Sequence, residues 1–277
     1  MGKQFGVTLR KIRRLSQSTL WFRFERNDGE LVSFEPGQFF RFEFSDKAGD
    51  FERAYSPCNF GQGVADTPYL DLVVSYVDGG RASQYLFHCD EGIAATVGGP
   101  FGRLVVPKKL PARLFLVATS VGIAPFMPIL RALTPAMQAR ELEVVLLFGA
   151  RTRDEFLFRQ EIAAIDGQFD CFTLRICYSR ESLVDSKAFE FSGHVTGQVV
   201  SFSPDPDSDT FLLCGNPQMV DDCFALLRNM GFSARQVVRE KYVFARKARP
   251  QKRKVLTAEQ KRLIAEKANK YSSPDNS

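Results

Sequence analysis

Metal-binding patterns are missing from this sequence. Its six cysteines (Cys58, Cys89, Cys171, Cys177, Cys214 and Cys223) form no C-x-x-C and no C-x₄-C-x₂-C. This argues against an iron–sulfur cluster or a structural zinc. Two histidines, His88 and His194, are too few for a histidine-rich metal site. Except for Cys214, the cysteines read as small buried hydrophobes. A secretory leader is also missing, since Met1–Arg14 has no apolar stretch and carries five basic residues; the expected location is the cytoplasm. The longest nearly uncharged run, Leu114–Leu130, falls short of the roughly 20 residues of a membrane span. It is also interrupted by Thr119, Ser120, Gly122, Pro125 and Pro128, so no stable membrane insertion is expected. There are no internal repeats, and tryptophan occurs once, against 26 phenylalanines.

What remains is an ordinary globular composition, 44% hydrophobic and 25% charged over 277 residues, long enough for two domains. The net charge of +5 is unevenly placed: residues 245–277 carry +7, which leaves −2 for residues 1–244. The basicity belongs to the tail, whose simplest reading is a solvated extension. Within it, Thr257 and Gln260 form a capping-box pattern that predicts a helix over 258–270.

Residues 1–110 read as β. Short candidates at Val7–Arg14, Thr19–Arg26, Gln38–Glu43 and Leu70–Val77 are separated by turn signals such as Asn27-Asp28-Gly29 and Pro36-Gly37. Many short strands without long helical periods predict an antiparallel barrel, with a short helix at Ser83–His88. From Leu110 the pattern alternates. Strands are expected at Leu114–Ala118, Glu143–Phe148, Phe172–Tyr178, Phe211–Cys214 and Gln236–Arg239. Helices are expected at Pro125–Leu133, Asp154–Ile165 and Pro217–Met230. This predicts a parallel α/β sheet. The reading is therefore a two-domain α+β chain: an antiparallel β-barrel over 1–110, an α/β nucleotide-binding domain over 111–244, and a basic extension over 245–277.

Leu114–Arg131 is the stretch on which the second half turns. An apolar strand passes through the small residues Ala118 to Gly122 and restarts with helical spacing after Pro125, which suits a first helical turn. Such a turn offers backbone N–H groups to a phosphate, yet it is not G-x-G-x-x-G and serves equally as an ordinary core connection. Arg53-Ala54-Tyr55-Ser56 combines a phosphate partner, a stacking ring and a hydroxyl, or is a loop with a surface ion pair. Gly80-Arg81-Ala82-Ser83 offers a second phosphate approach ahead of a helix, while Gly98-Gly99-Pro100-Phe101-Gly102 can be a simple turn. Ser179-Arg180 ends a strand candidate where a dinucleotide site reads the adenosine ribose. An arginine there favours NADP over NAD. Arg151 is a second candidate for that phosphate, and for either arginine the alternative is a surface ion pair.

R-x-Y-S, G-x-x-S, G-P-x-G, the G-I-A-P strand-turn-helix, Tyr178-Ser-Arg-Glu181, C-G-N-P-Q-M-V (214–220) and E-x-Y (240–242) occur in this order. Together they resemble the ferredoxin–NADP⁺ reductase family, in particular its bacterial flavodoxin/ferredoxin reductase branch, over about residues 5–244. The resemblance implies an FAD-binding barrel followed by an NADP-binding α/β domain. By position it implies that Arg53 binds the FAD pyrophosphate, that Tyr55 (next to Ala54) packs on the isoalloxazine, and that Ser56 lies near flavin N5. Gly80, Arg81, Ala82 and Ser83 would hold the FAD phosphates, with Gly99, Pro100 and Gly102 beside the flavin. Thr119, Gly122 and Pro125 would cradle the NADP pyrophosphate and nicotinamide end. Cys214 and Gly215 would sit near the nicotinamide, and Ser179, Arg180 and Arg151 at the adenosine phosphate.

Ser56, Cys214, Glu240 and Tyr242 are then the catalytic group. Tyr242 covers the flavin face that nicotinamide must reach, and Phe244 is a candidate to cover the FAD adenine. The implied partners are NADPH and a separate ferredoxin or flavodoxin, whose approach the basic tail could steer; no nucleic acid is implied. Alternatives are an oxygenase-feeding or free-flavin reductase, and a non-enzymatic binding protein on the same fold. The sequence departs from the family at Val121, where a threonine is common, and at Gln198, where bacterial relatives often have arginine. It has no attached ferredoxin domain and runs on past Tyr242.

Overall fold

A computed structural model describes residues 4–61, 66–242, 262, 265 and 266. In chain order the first half holds β1 (Gln4–Ser16), β2 (Thr19–Arg26), β3 (Val32–Ser33), β4 (Phe39–Asp46), β5 (Gly49–Tyr55), β6 (Asp66–Thr67), β7 (Tyr69–Ser75), α1 (Arg81–His88) and β8 (Ala94–Phe101). Six of these strands form one antiparallel sheet in the order β5-β4-β8-β1-β2-β7, and β3 pairs with β6. One face of the sheet is phenylalanine-rich because aromatic residues recur at every second position. Phe22 and Phe24 on β2 and Phe40, Phe42 and Phe44 on β4 all turn inward. Residues of all six strands of the sheet, of β3 and of α1 close on this one core, so the sheet is rolled around it, as a barrel requires. Phe24 and Phe42 meet edge to face at 5.3 Å.

The second half holds β9 (Arg113–Thr119), a 3₁₀ turn (Ser120–Ile123), α2 (Phe126–Gln138), β10 (Glu143–Ala150), a 3₁₀ turn (Arg153–Glu155), α3 (Arg159–Gln168), β11 (Phe172–Tyr178), β12 (Glu190–Ser192), α4 (Val195–Ser201), β13 (Asp209–Gly215), α5 (Pro217–Asn229) and β14 (Val237–Lys241). The strands make one parallel sheet in the order β12-β11-β10-β9-β13-β14. Both faces are covered, so the four inner strands β9, β10, β11 and β13 are buried along most of their length, while the edge strands β12 and β14 are partly exposed. Leu114, Leu116, Val144, Leu146 and Leu212 pack under α2 and α3. Their neighbours Phe115, Val117, Val145, Leu147 and Phe211 pack under α4 and α5.

Ser120–Gln138 is long and apolar enough to pass for a membrane span, but most of it is buried inside the protein. Helix α2 begins one residue after Pro125 and continues past Pro135, with Met137 buried at its end. Helix α3 starts later than its pattern suggests. Phe156, Leu157 and Phe158 are consecutive and all buried, which no single helical face achieves, and Phe158 takes a left-handed φ of 55°. Strands β5, β8 and β12 and helix α4 escape the sequence reading. Strand β5 (GDFERAY) is a charged edge strand, β8 (AATVGGPF) is built of small residues, and β12 has three residues. Of the predicted tail helix only Arg262, Ala265 and Glu266 are described, and all three are helical; Phe244 lies outside the described residues.

Strand β9 leads to its neighbours on one side, and the chain then crosses back to lay β13 on the other. The order therefore reverses between β9 and β13, and a crevice opens past their carboxyl ends. Leu116 sits at the centre of β9, fully buried between β10 and β13. Leu116→Ala is expected to lower stability by about 2–5 kcal/mol, because the surrounding strands cannot close the cavity. Urea unfolding followed by circular dichroism measures this; a loss of less than about 1 kcal/mol would contradict a rigid sheet centre.

Candidate active site at the domain junction

Two cavities meet where the antiparallel and parallel units touch. The smaller, of about 380 Å³, is lined by Arg53, Ala54, Tyr55 and Ser56 at the end of β5, by Val73–Ser75 of β7 and Val77, and by Gly80, Ala82 and Ser83 at the start of α1. Val121, Ala124, Glu240 and Tyr242 close it from the parallel unit. The larger, of about 790 Å³, lies over the β9–β13 crevice and includes Thr119, Ser120, Val121, Gly149–Arg151, Ser179, Arg180, Gly215 and Tyr242. Ser75, Val77, Val121 and Tyr242 border both.

Close backbone approach builds the crevice. A Cβ on Gly122 would come within 2.5 Å of the Cys214 carbonyl oxygen and 2.6 Å of Gly215 Cα, so only glycine lets the turn after β9 rest on the end of β13. Gly215 itself has φ +130°, and its backbone lies against Thr119. The Asn216 N–H donates to Thr119 Oγ1 at 2.9 Å, and the Asn216 side chain caps α5 by accepting from the Gln218 N–H at 2.8 Å. Gly122 and Pro125 thus shape the crevice from behind, whereas Thr119, Val121 and Gly215 face it.

At the junction, Ser56 Oγ donates to Glu240 Oε1 at 3.3 Å, joining β5 to β14. The Tyr242 N–H donates to the Gly215 carbonyl at 2.9 Å, which holds the ring between the cavities. Its hydroxyl is buried and makes no hydrogen bond, with Ser56, Cys214 and Glu240 as its polar neighbours. The Cys214 thiol is fully buried behind Tyr242, lines neither cavity, and is pushed well above the ordinary thiol range by burial. Burial also raises Glu240 to about 7, against the opposing pull of the Ser56 hydrogen bond.

The other candidates divide. The Arg53 guanidinium makes no ion pair among the described residues and donates to the Glu52 carbonyl at 2.6 Å. The Tyr55 ring meets Phe42 edge-on at 5.8 Å. The Arg81 guanidinium points away from the small cavity, paired with Asp46 at 2.6 Å and lying over the Phe51 ring. The Ser83 hydroxyl accepts from the Val77 N–H and can donate to the Val77 or Gly80 carbonyl, so it braces the turn and leaves only backbone N–H groups for a ligand. Gly99 and Pro100 lie on β8 outside both cavities. Gly102 faces Phe39, with Glu240 Oε2 3.6 Å from where its Cβ would stand.

At the far end of the large cavity, Arg151 is held by Glu155, while Ser179 and Arg180 are exposed on its wall. Glu181 turns outward to Arg153, so its charge does not face the cavity. Arg153 also grips Glu190 at 2.9 Å and draws that carboxyl down to about 2. Val77, His194, Thr196 and Asp222 were not singled out from sequence; they reach the wall only through the fold, as loop and helix-start residues without a motif.

The cavities suit the cofactors implied. The small one offers a cation, an aromatic ring, the amides of an eight-residue helix start and an unsatisfied buried hydroxyl, a donor set for a flavin with its pyrophosphate. The large one sits at the switch point where α/β sheets bind dinucleotides. Among the described residues, no group of three His, Cys, Asp or Glu could hold a metal ion.

A carboxyl that titrates at about 7 when folded and near 4.5 when unfolded destabilises the folded state progressively across that window. The wild type should therefore lose stability relative to Glu240→Gln as pH rises from 4.5 to about 7, with no further divergence above. Thermal unfolding of both proteins across this range checks it, and a constant difference would contradict the burial.

Comparison with known proteins agrees with this geometry. Residues 6–106 match the oxidoreductase FAD-binding domain and residues 116–224 the oxidoreductase NAD-binding domain. Ferredoxin–NADP reductase B of Sorangium cellulosum is 31% identical over 247 residues, spanning 86% of this chain and 97% of the relative. Ferredoxin–NADP reductase of Azotobacter vinelandii is 27% identical over 229 residues, covering 76% and 84%. Among solved structures, a ferredoxin NADP⁺ reductase from Neisseria gonorrhoeae with bound FAD and NADP superposes with a TM-score of 0.73 at 22% identity, covering 87% and 99%. The chain belongs to the ferredoxin–NADP reductase family, an oxidoreductase with an FAD-binding antiparallel domain followed by an NAD(P)-binding α/β domain.

Proposed function

We propose that this reductase takes electrons from NADPH, or returns them to NADP⁺, and exchanges them with ferredoxin or flavodoxin. The observation that carries this reading is Tyr242, one side chain forming a wall of both cavities. A flavin in the small cavity and a nicotinamide in the large one would then face each other across that ring and its neighbours Ser75, Val77 and Val121.

FAD, when bound, supplies the chemistry that joins a two-electron hydride donor to a one-electron carrier. Arg53 and the start of α1 would hold its phosphates, and Tyr55 would pack on its rings. Tyr242, which borders both cavities, would cover the flavin face and would have to move aside for nicotinamide. Ser56 and Glu240 keep a proton at Oγ or Oε1 beside the reacting atoms. The buried, protonated Cys214 thiol fills the space behind Tyr242 without adding charge. Ser179 and Arg180 receive the adenosine 2′-phosphate, which supports NADPH over NADH. Gln198, on α4, does not line the cavity and adds nothing to that phosphate.

Anaerobic reduction of the purified protein with NADPH and NADH, followed by a panel of ferredoxins and flavodoxins, tests the reading. Transfer only to an oxygenase or to free flavin would replace it. Arg53→Ala should release FAD, since a charge-assisted phosphate contact contributes roughly 1.5–3 kcal/mol. Absorbance of the purified variant reports this, and full occupancy would remove Arg53 from the site. Arg180→Ala should raise the NADPH KM about tenfold and leave the NADH KM unchanged. Equal effects on the two would show that Arg180 does not read the 2′-phosphate.

A further inference from the structure

We propose that Glu155 sets the nucleotide specificity of the large cavity by holding Arg151 in reserve, so that a ribose 2′-phosphate must take this guanidinium from the carboxylate. The inference rests on the NADPH reading given above.

Three arginines cluster at the adenosine end, and their carboxylate partners assign them different tasks. Arg153 is bound to Glu181 and Glu190, and makes no part of the cavity wall. Arg180 forms no ion pair among the described residues. Arg151 stands next to it, because the ends of β10 and β11 are tied: the Ser179 N–H donates to the Ala150 carbonyl at 3.1 Å and the Arg180 N–H to the Arg151 carbonyl at 2.9 Å. The two guanidinium-bearing residues therefore share one wall.

Glu155 occupies the edge of Arg151 that a phosphate would use. Arg151 Nε donates to Glu155 Oε2 at 2.9 Å, and Nη2 pairs with Oε1. The Arg151 backbone N–H donates to the same Oε2 at 3.2 Å. Bidentate pairing through Nε and a terminal nitrogen is the geometry in which arginine also recognises phosphate, so both anions cannot occupy it together. Glu155 is within reach of exchange: the Arg151 side chain is 52% exposed and that of Glu155 20%. Ion pairs in such settings are weak, and a phosphate brings about two negative charges against one. A 2′-phosphorylated nucleotide displaces the carboxylate at some loss of affinity, whereas one with a bare ribose does not compete for Arg151. Glu155 accordingly narrows the discrimination between the two.

Binding to the FAD-loaded protein, followed by calorimetry, tests this with 2′,5′-ADP and 5′-AMP, which differ only in the 2′-phosphate. Glu155→Gln keeps the size of the side chain and an acceptor for the Arg151 N–H groups while removing the charge. It should tighten 2′,5′-ADP roughly fivefold and leave 5′-AMP unchanged. Arg151→Ala, which opens the pair from its other end, should weaken 2′,5′-ADP alone, and adding it to Glu155→Gln should abolish the gain. Equal change for both nucleotides, no change for either, or a gain that survives the loss of Arg151 would overturn the proposal. The NADPH reading is judged separately, on the wild type. Equal affinity for 2′,5′-ADP and 5′-AMP there would count against Arg180, while the change in their ratio still decides Glu155.

Discussion

The contact between the turn after β9 and the end of β13 is the constraint on which the site depends. Gly122 lies so close to the Cys214 carbonyl and Gly215 that a single added methyl has no room. That contact brings Thr119 beside Gly215 and lets the Asn216 N–H bond to Thr119. It also fixes the Gly215 carbonyl that receives the Tyr242 N–H. The crevice at the switch point, the start of α5 and the backbone of Tyr242 are therefore tied to one another.

Charge is distributed at this junction according to solvent access. Glu240 is half-buried, its carboxyl set beside Tyr242 and Cys214 where the ionised form is poorly solvated, and it is raised to about 7. Around it, Cys214 and Tyr242 stay neutral for the same reason. The more exposed wall at Arg151 and Arg180 holds two arginines, Arg151 and Arg153, paired with three glutamates, and leaves Arg180 outside those pairs.

The two units fold on different rules, and the site uses both. In the antiparallel unit, period-two phenylalanines close one face and leave the end of β5 and the start of α1 at the rim. In the parallel unit the inner strands are buried on both sides, so their polar residues lie mostly toward the strand ends, Arg113 and Asp209 at one end and Thr119 and Ser179 at the other. The candidate site residues therefore gather at strand ends: Arg53–Ser56, Thr119, Arg151, Ser179–Arg180, Gly215 and Glu240–Tyr242.

The sequence by itself determined the two sheets, most of their strands and the strand ends that carry chemistry. Periodicity, turn residues and ordered motifs are local, and local rules suffice for them. It also placed Arg53, Ser56, Arg180, Glu240 and Tyr242 within one candidate site. Only the tertiary structure decided which polar groups were already engaged. Arg81 is taken by Asp46, Arg151 by Glu155 and the Ser83 hydroxyl by its own turn. Glu181, adjacent to Arg180 in sequence, is turned away to Arg153. Arg81 and Asp46 lie 35 residues apart and Arg153 and Glu181 28 apart, while the Arg151–Glu155 pair depends on a 3₁₀ turn where a helix was expected. A side chain's partner is set by the folded path of the backbone, and no spacing rule along the chain encodes it.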